Sequence, residues 1–297
     1  MTDRFEPLLY WVGERETIRL AREREEPAPW TRDPILSTFR FCNVRRADDR
    51  VSRWVIRNVI QRYQGNPNLW IMLALARYIN WPPALQKLMK GGGWPAKADV
   101  PARLARAAEI LDDPEEKEKM WTGAYMIRAE SNKTAPWYAW GKGAYVMKIV
   151  IERELWKARG EFREFFSRDI RTVQYAHSLL AGRYGWGSFM AGQVVADWTY
   201  TPLLSGAADL YTWAPLGPGS LRGLNRLYGR ALDYRLKQED AIPEMRAARD
   251  AIVSDYPELA DLTLHDVQNC LCETDKYLRT KLGEGRPRSR FVPETAF

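Results

Sequence analysis

The chain reads as an all-α protein, and three observations along its 297 residues predict this. Apolar residues recur at three- and four-residue spacing through many segments. No run alternates with the period of two that a half-buried strand requires. Gly, Pro and Asn clusters interrupt the periodic segments at short intervals. Residues 8–24 form a first helix, apolar in front and Arg/Glu-rich behind, which Pro27 and Pro29 end. Phe39 to Arg50 is an apolar and basic lead-in to a second helix, capped by Asp48, with Val51, Trp54, Val55, Asn58 and Val59 facing inward. Asn66 followed by Pro67 has the form of an N-cap and first turn. The run Asn68–Ala76 is too long and too rich in Leu, Ala and Met for a strand, so it predicts a buried helix. Helices over 100–112, 144–157, 168–180, 219–230, 237–254 and 263–282 follow, the last opening on Thr263 and Asp266 as a near capping box. The expected organisation is a helical extension over 1–30, one helical functional domain over 31–284 and a basic flexible tail over 285–297.

Composition narrows the function. Apolar content of 45% and aromatic content of 12% exclude a disordered chain. Lys and Arg outnumber Asp and Glu by 45 to 38, and a net charge of +7 favours a polyanionic partner, nucleic acid above all. A membrane partner is not expected: there is no basic amphipathic helix, lipidation signal or apolar run of about 18 residues, and the charged N-terminus is no secretory signal. A cytoplasmic protein is expected. Three cysteines and two histidines are too few and too scattered for a disulfide framework or a zinc site, so no metal is expected. No phosphate-binding P-loop occurs, no dinucleotide fingerprint follows a strand, and neither His177 nor His265 accompanies a nucleophile elbow. Any chemistry therefore falls to carboxylates, Lys or Arg. Thirteen Trp suit base stacking, and equally suit core filling.

Four motifs stand out. Tyr184-Gly185-Trp186-Gly187-Ser188-Phe189 places two glycines about one bulky residue and then starts a helix, with Ser188 as the expected cap. Backbone N–H groups at such a turn form a seat for phosphate, although a plain turn before a core helix has the same spacing. Asn43, Arg45, Arg46 and Arg50 put an amide and three cations at one helix start, where they either bind phosphates and a base edge or pair with Asp48 and Asp49. Tyr125, Lys133 and Trp137 lie on a polar stretch between aromatic segments, suited to an aromatic-walled pocket or to an ordinary loop. Gly217-Pro218-Gly219-Ser220-Leu221-Arg222, with Arg226 beyond, is a second glycine-rich helix entry, Ser220 being its expected cap.

The Tyr184–Ala191 segment resembles the hairpin of helix-hairpin-helix DNA glycosylases. That resemblance implies a hairpin gripping a DNA phosphate through Gly185, Trp186, Gly187 and Ser188, and a catalytic Asp about twenty residues on, near Asp209. Lyase-type members carry Lys where this chain has Phe189. A narrower resemblance rests on Phe41-Cys42-Asn43-Val44-Arg45-Arg46 with Asp49-Arg50, Gly123-Ala124-Tyr125, Gly187-Ser188-Phe189 with Asp197, and Gly217-Pro218-Gly219 with Arg222-Gly223. These are similar to the α-glutamyl/putrescinyl thymine pyrophosphorylase family, which is related to the helical domain of 5-hydroxymethyluracil DNA kinases. The resemblance implies a phage-associated enzyme of thymine hypermodification, in the host cytoplasm if phage-encoded. It would flip a pyrophosphorylated 5-hydroxymethyluracil out of double-stranded DNA and replace pyrophosphate with a small amine or amino acid.

On that footing Asp209 or Asp197 would be the base and Lys133 a catalytic cation. Asn43, Arg45, Arg46, Tyr125, Trp137 and Trp213 would hold the base and leaving group, and Arg50, Gly219, Arg222 and Arg226 would join the hairpin on DNA. No cofactor is called for, a monovalent cation at the hairpin being the one option left open. The alternatives are a monofunctional glycosylase that excises a hypermodified pyrimidine and a non-catalytic reader of modified DNA.

Overall fold

The computed structural model describes residues 4–125, 127, 130–287 and 289–291, and these contain helices but no strand, as the periodicity predicts. In chain order the helices are α1 (Glu6–Glu23), α2 (Pro34–Thr38), α3 (Arg50–Val55), α4 (Leu69–Ile79), α5 (Pro82–Lys90), α6 (Val100–Leu111) and α7 (Lys142–Ala144). They continue with α8 (Arg159–Ser167), α9 (Val173–Ala181), α10 (Gly187–Trp198), α11 (Pro218–Leu227), α12 (Gln238–Asp255) and α13 (Leu264–Lys281). Two of them run on in wider π-helical turns, α3 through Ile56–Ile60 and α7 through Tyr145–Trp156.

The chain folds as two units, one made of residues 1–49 and 209–297 and the other of 50–208. The first, the α13 unit, gathers α1, α2, α11, α12 and α13 about a core that includes Leu8, Trp11, Val12, Ile252, Val267 and Leu271. Its α11 and α13 approach closely because two glycines face the contact. A Cβ on Gly219 would stand 2.2 Å from Cys272 Sγ, and one on Gly223 would stand 2.3 Å from the Leu271 carbonyl. Arg290 of the basic tail forms an isolated antiparallel bridge with Phe39, and Phe291 of the tail meets Trp30 edge-on at 5.8 Å. Residues 288 and 292–297 of that tail lie outside the described residues.

The second, the hairpin unit, is built round α4, whose eleven residues are all buried. Trp70 of α4 stacks on Phe162 at 4.6 Å, and Trp198 of α10 donates its indole N–H to the Trp70 carbonyl at 3.0 Å. Much of the Trp content is thus core. Of the thirteen, Trp11, Trp70, Trp94, Trp186 and Trp198 are buried.

Several boundaries differ from the sequence expectation, each for a local reason. Asn66 does not cap α4. Its carboxamide oxygen accepts from Asn68 N at 2.9 Å in a turn of its own, and the helix starts at Leu69. The helix expected from 168 begins at Val173, because the Thr172 hydroxyl accepts from Tyr175 N and fixes the N-cap there. Ser188 and Ser220 are not N-caps either. Trp186 and Gly217 hold those positions, and Ser220 sits at the third helical position, its Oγ accepting from Gly217 N at 3.0 Å. The Thr263–Asp266 box forms as expected.

Candidate functional site

The predicted site residues divide between the two units. The hairpin unit holds Arg50, Tyr125, Lys133, Trp137, Gly185, Trp186, Gly187, Ser188 and Asp197, while the α13 unit holds Asn43, Arg45, Arg46, Asp209, Trp213, Gly219, Arg222 and Arg226.

In the hairpin unit α9 and α10 pack together across residues 182–186, which is a helix-hairpin-helix. Gly185 has φ +82 and Gly187 φ +54, the left-handed region that glycine enters without strain. The two glycines have different surroundings. A Cβ on Gly185 would lie 2.9 Å from Val150 Cγ2, whereas one on Gly187 meets nothing within 4 Å. Between them Trp186 is only 2% exposed, which removes it from the residues able to stack on DNA. It is instead the anchor of the turn. Its indole donates to the Val150 carbonyl at 3.1 Å, its ring meets Tyr78 edge-on at 5.1 Å, and the Tyr78 hydroxyl donates to the Gly185 carbonyl at 3.1 Å. Pinned this way, the tip shows solvent the backbone of Gly187 and Ser188 at the start of α10, a helix without a side-chain cap. Sequence inspection missed His177, whose Nε2 lies 3.0 Å from the Ser188 carbonyl and 3.1 Å from its hydroxyl, tying α9 to the hairpin.

Around the tip are aromatic rings and further charges. Tyr125 donates to Gln193 Oε1 at 3.1 Å and meets the exposed Phe189 edge-on at 5.2 Å. Trp137 donates to Glu130 at 2.7 Å, Tyr184 donates to the same carboxylate, and Arg153 lies 4.5 Å from the Trp137 ring and 5.3 Å from the Tyr184 ring. The Tyr184 hydrogen bond is the main reason the Glu130 carboxyl titrates below its usual range. Lys133 is exposed on the same loop. Asp197, a candidate base on sequence grounds, is fully buried. Arg77 Nε reaches its Oδ2 at 2.7 Å and Arg77 Nη2 its Oδ1 at 2.5 Å. Arg77 also donates to Asn80 and Ser52. Burial would lower the guanidinium pKa, but the Asp197 charge overrides this and raises it. This is the geometry of a structural ion pair.

The α13 unit concentrates its polar burial on α13, where His265, Asp266, Glu273, Thr274 and Asp275 are all buried. Arg222 and Arg226, expected on DNA, both reach Asp275 at 2.9 Å through Nε. With Gly219 packed on Cys272, the second glycine entry is a helix–helix joint rather than a phosphate seat. Arg45 pairs with Asp261 at 2.8 Å and donates to the Glu258 carbonyl, and the Arg46 backbone N–H donates to Asp266 at 2.9 Å. Asn43 is clamped on three sides. Arg15 donates to its Oδ1 at 2.9 Å, its Nδ2 donates to the Asp48 carbonyl at 2.8 Å, and its backbone N–H donates to Asp49 Oδ1 at 2.8 Å. Asp49, which the sequence offered only as an arginine partner, titrates at about 6, raised first by burial and further by the Glu273 charge. Glu273 accepts from the Cys42 backbone N–H at 2.9 Å and pairs with Lys276 at 2.5 Å. Asp209 and Trp213 sit in the turn that opens this unit's second segment, Trp213 N donating to the Asp209 carbonyl at 2.9 Å, with the Trp213 ring 6.4 Å from His265.

Among the described residues no group of His, Cys, Asp and Glu is arranged to hold a metal, and no helix is long and apolar enough to cross a membrane. No curated protein and no solved structure matches the chain. The sequence does match the family described as "5-hmdU DNA kinase, helical domain" over residues 2–286. That match spans nearly the whole chain and places it among domains associated with DNA-modifying enzymes and a modified-DNA substrate. The protein therefore belongs to the 5-hmdU DNA kinase helical-domain family.

Proposed function

We propose that this protein is a DNA base-hypermodifying transferase that replaces the pyrophosphate of an activated 5-hydroxymethyluracil in duplex DNA with a small amine or amino acid. The observation that carries the reading is the open backbone at Gly187, held out by a buried Trp186, in a chain of this family. Such a tip offers N–H groups to one phosphate and positions a duplex without reading its sequence. Half-buried Tyr125 and Trp137 and exposed Phe189 supply rings for an extruded base.

The transfer balances as follows. An ammonium loses one proton, and the lone pair freed on nitrogen attacks the methylene carbon on C5 of the uracil. The carbon–oxygen bond breaks, pyrophosphate leaves with that electron pair, and the alkylated nitrogen sheds its remaining extra proton to solvent. Cations near the leaving group and a carboxylate for the first proton are the protein's contribution. Of the candidate cations, Arg50 and Lys133 belong to the same unit as the hairpin and remain the proposed ones. The pairing of Arg222 and Arg226 with Asp275 argues against their use.

The second reading is a monofunctional glycosylase. It is favoured by the hairpin itself and by Asp209, partly exposed and 22 residues beyond Gly187. Incubation with duplex DNA carrying pyrophosphorylated hydroxymethyluracil and a pool of amines, followed by nucleoside mass spectrometry, separates the two. A heavier amine-bearing nucleoside with released pyrophosphate is expected. Alkali-labile abasic sites in its place would establish the glycosylase, and unaltered nucleosides would leave a DNA-binding module.

A further inference from the structure

Beside the Gly187 tip the hairpin unit carries a second exposed feature, and it is aromatic. Trp140 is 40% exposed, Tyr138 43% and Tyr184 41%, in a chain that buries other tryptophans in its core. Single exposed rings are ordinary, whereas several on one surface mark a contact. These rings are held in place. Glu130 Oε1 accepts from Asn132 N at 2.8 Å, and its Oε2 accepts from Trp137 Nε1 at 2.7 Å and from the Tyr184 hydroxyl, which ties the loop to the hairpin. Two turns follow, Tyr138 N donating to the Ala135 carbonyl at 3.0 Å and Trp140 N to the Trp137 carbonyl at 3.1 Å.

One helical stretch supplies the cations that meet these rings. From the wide turns of Tyr145–Trp156, Arg153 lies 4.5 Å from the Trp137 ring and 5.3 Å from the Tyr184 ring, and Lys148 Nζ lies 5.6 Å from the Trp140 ring. Arg153 follows Lys148 by five positions, the span of one π-helical hydrogen bond, so the two sets of cation–ring contacts are neighbours. Val146, Met147, Ile149 and Val150 of the same stretch are buried, while Lys148 is exposed. Glu154 pairs with Arg153 at 2.7 Å. From Ser131 to Ile151, by contrast, the chain carries Lys133, Lys142 and Lys148 and no Asp or Glu.

Rings interleaved with cations fit a ligand that has flat faces along a negative backbone. A duplex hides its base faces in the stack and shows only edges and phosphates, whereas an unpaired strand offers faces and phosphates together. A cation over one face of a ring leaves the other face to a base. The excess of 23 Lys and Arg over 14 Asp and Glu in this unit favours such a polyanion over a protein partner. We propose that the Trp137–Trp140 loop and the Lys148–Arg153 face of the adjoining helical stretch form a second nucleic-acid surface, which stacks the bases of single-stranded DNA. This goes beyond the transferase reading and does not depend on it. The hairpin tip seats a phosphate whatever the pairing of the bases, while this surface takes bases that are already unpaired.

Fluorescence anisotropy with labelled oligo-dT and a labelled duplex of equal length tests this. The wild type should bind oligo-dT, and Trp140→Ala and Tyr138→Ala should each raise that Kd about 5- to 100-fold while the duplex Kd stays within about twofold. Both side chains are exposed, so the variants should fold, which thermal melts check. Trp140→Phe keeps a ring and should recover most of the affinity. Lys148→Gln should lower the slope of log Kd against log salt by about 0.7, whereas Trp140→Ala should leave the slope unchanged. A wild type that does not bind oligo-dT, or folded ring variants that bind it as the wild type does, would overturn the proposal. Equal weakening toward duplex and oligo-dT would overturn the assignment to unpaired strands, and tighter binding of oligo-rU would overturn DNA as the ligand. None of these results touches the transfer reaction, which is read separately from nucleoside masses.

Discussion

The two units differ most in charge. Residues 50–208 carry 23 Lys and Arg against 14 Asp and Glu, whereas the rest of the chain carries 22 against 24. The whole positive excess of the protein therefore belongs to the unit with the glycine hairpin. The α13 unit is slightly acidic and buries Asp266, Glu273 and Asp275 on one helix. On net charge a polyanion is drawn to the first unit rather than to the second.

Asp197 in the hairpin unit and Asp49 in the α13 unit are held in opposite ways. Asp197 is matched on both oxygens by Arg77; Asp49 is only partly compensated. The largest effect should come from breaking the matched pair. Arg77→Ala or Asp197→Ala leaves one charge buried alone and should destabilise the protein by about 3–5 kcal/mol in urea unfolding. Replacing both, as Arg77→Met with Asp197→Leu, should recover most of that. A loss below about 1 kcal/mol for either single variant would show that the pair is not a structural keystone.

The next effect should have the opposite sign. Asp49 titrates at about 6 in the folded protein against 3.8 ordinarily, so the fold binds its proton more tightly than the unfolded chain does. Its stabilising contribution is present below 3.8 and is lost as pH rises through about 6. Asp49→Asn should therefore raise stability at pH 7.5 by about 2–3 kcal/mol, with little difference near pH 3.5, as read from thermal melts at the two pH values. A variant that is less stable than the wild type at pH 7.5 would break the contrast with Asp197.

The smallest effects belong to the hairpin glycines and sharpen the division of labour. Gly185→Ala meets Val150 as well as an unfavourable φ and should destabilise by about 1–3 kcal/mol. Gly187→Ala, in open space, should cost only about 1 kcal/mol, yet it should weaken duplex binding and reduce the slope of log Kd against log salt. If both variants bind duplex DNA as the wild type does, the hairpin is a turn and nothing more.

The all-α class, the buried α4, the Thr263 box and the hairpin were legible in the sequence because each rests on local chemistry: apolar periodicity, a capping side chain, glycine at positive φ. The family-like blocks were legible too, and the match over residues 2–286 agrees with them at the level of the kinase helical domain. What failed were inferences from proximity in sequence. Gly219 looked like Gly187, but Cys272 fills the space before it, and Trp186 looked like part of the exposed hairpin grip until Val150 and Tyr78 enclosed it. Arg222 and Arg226 looked free until α13 presented Asp275 from 53 and 49 positions away.

The apolar periodicity and the charge count by themselves determined that this is a basic helical protein suited to a polyanion. Only the tertiary structure decided where that charge lies and how fully Asp49 and Asp197 are compensated. Coulombic and desolvation terms depend on distance in space and on burial, and neither is written along the chain.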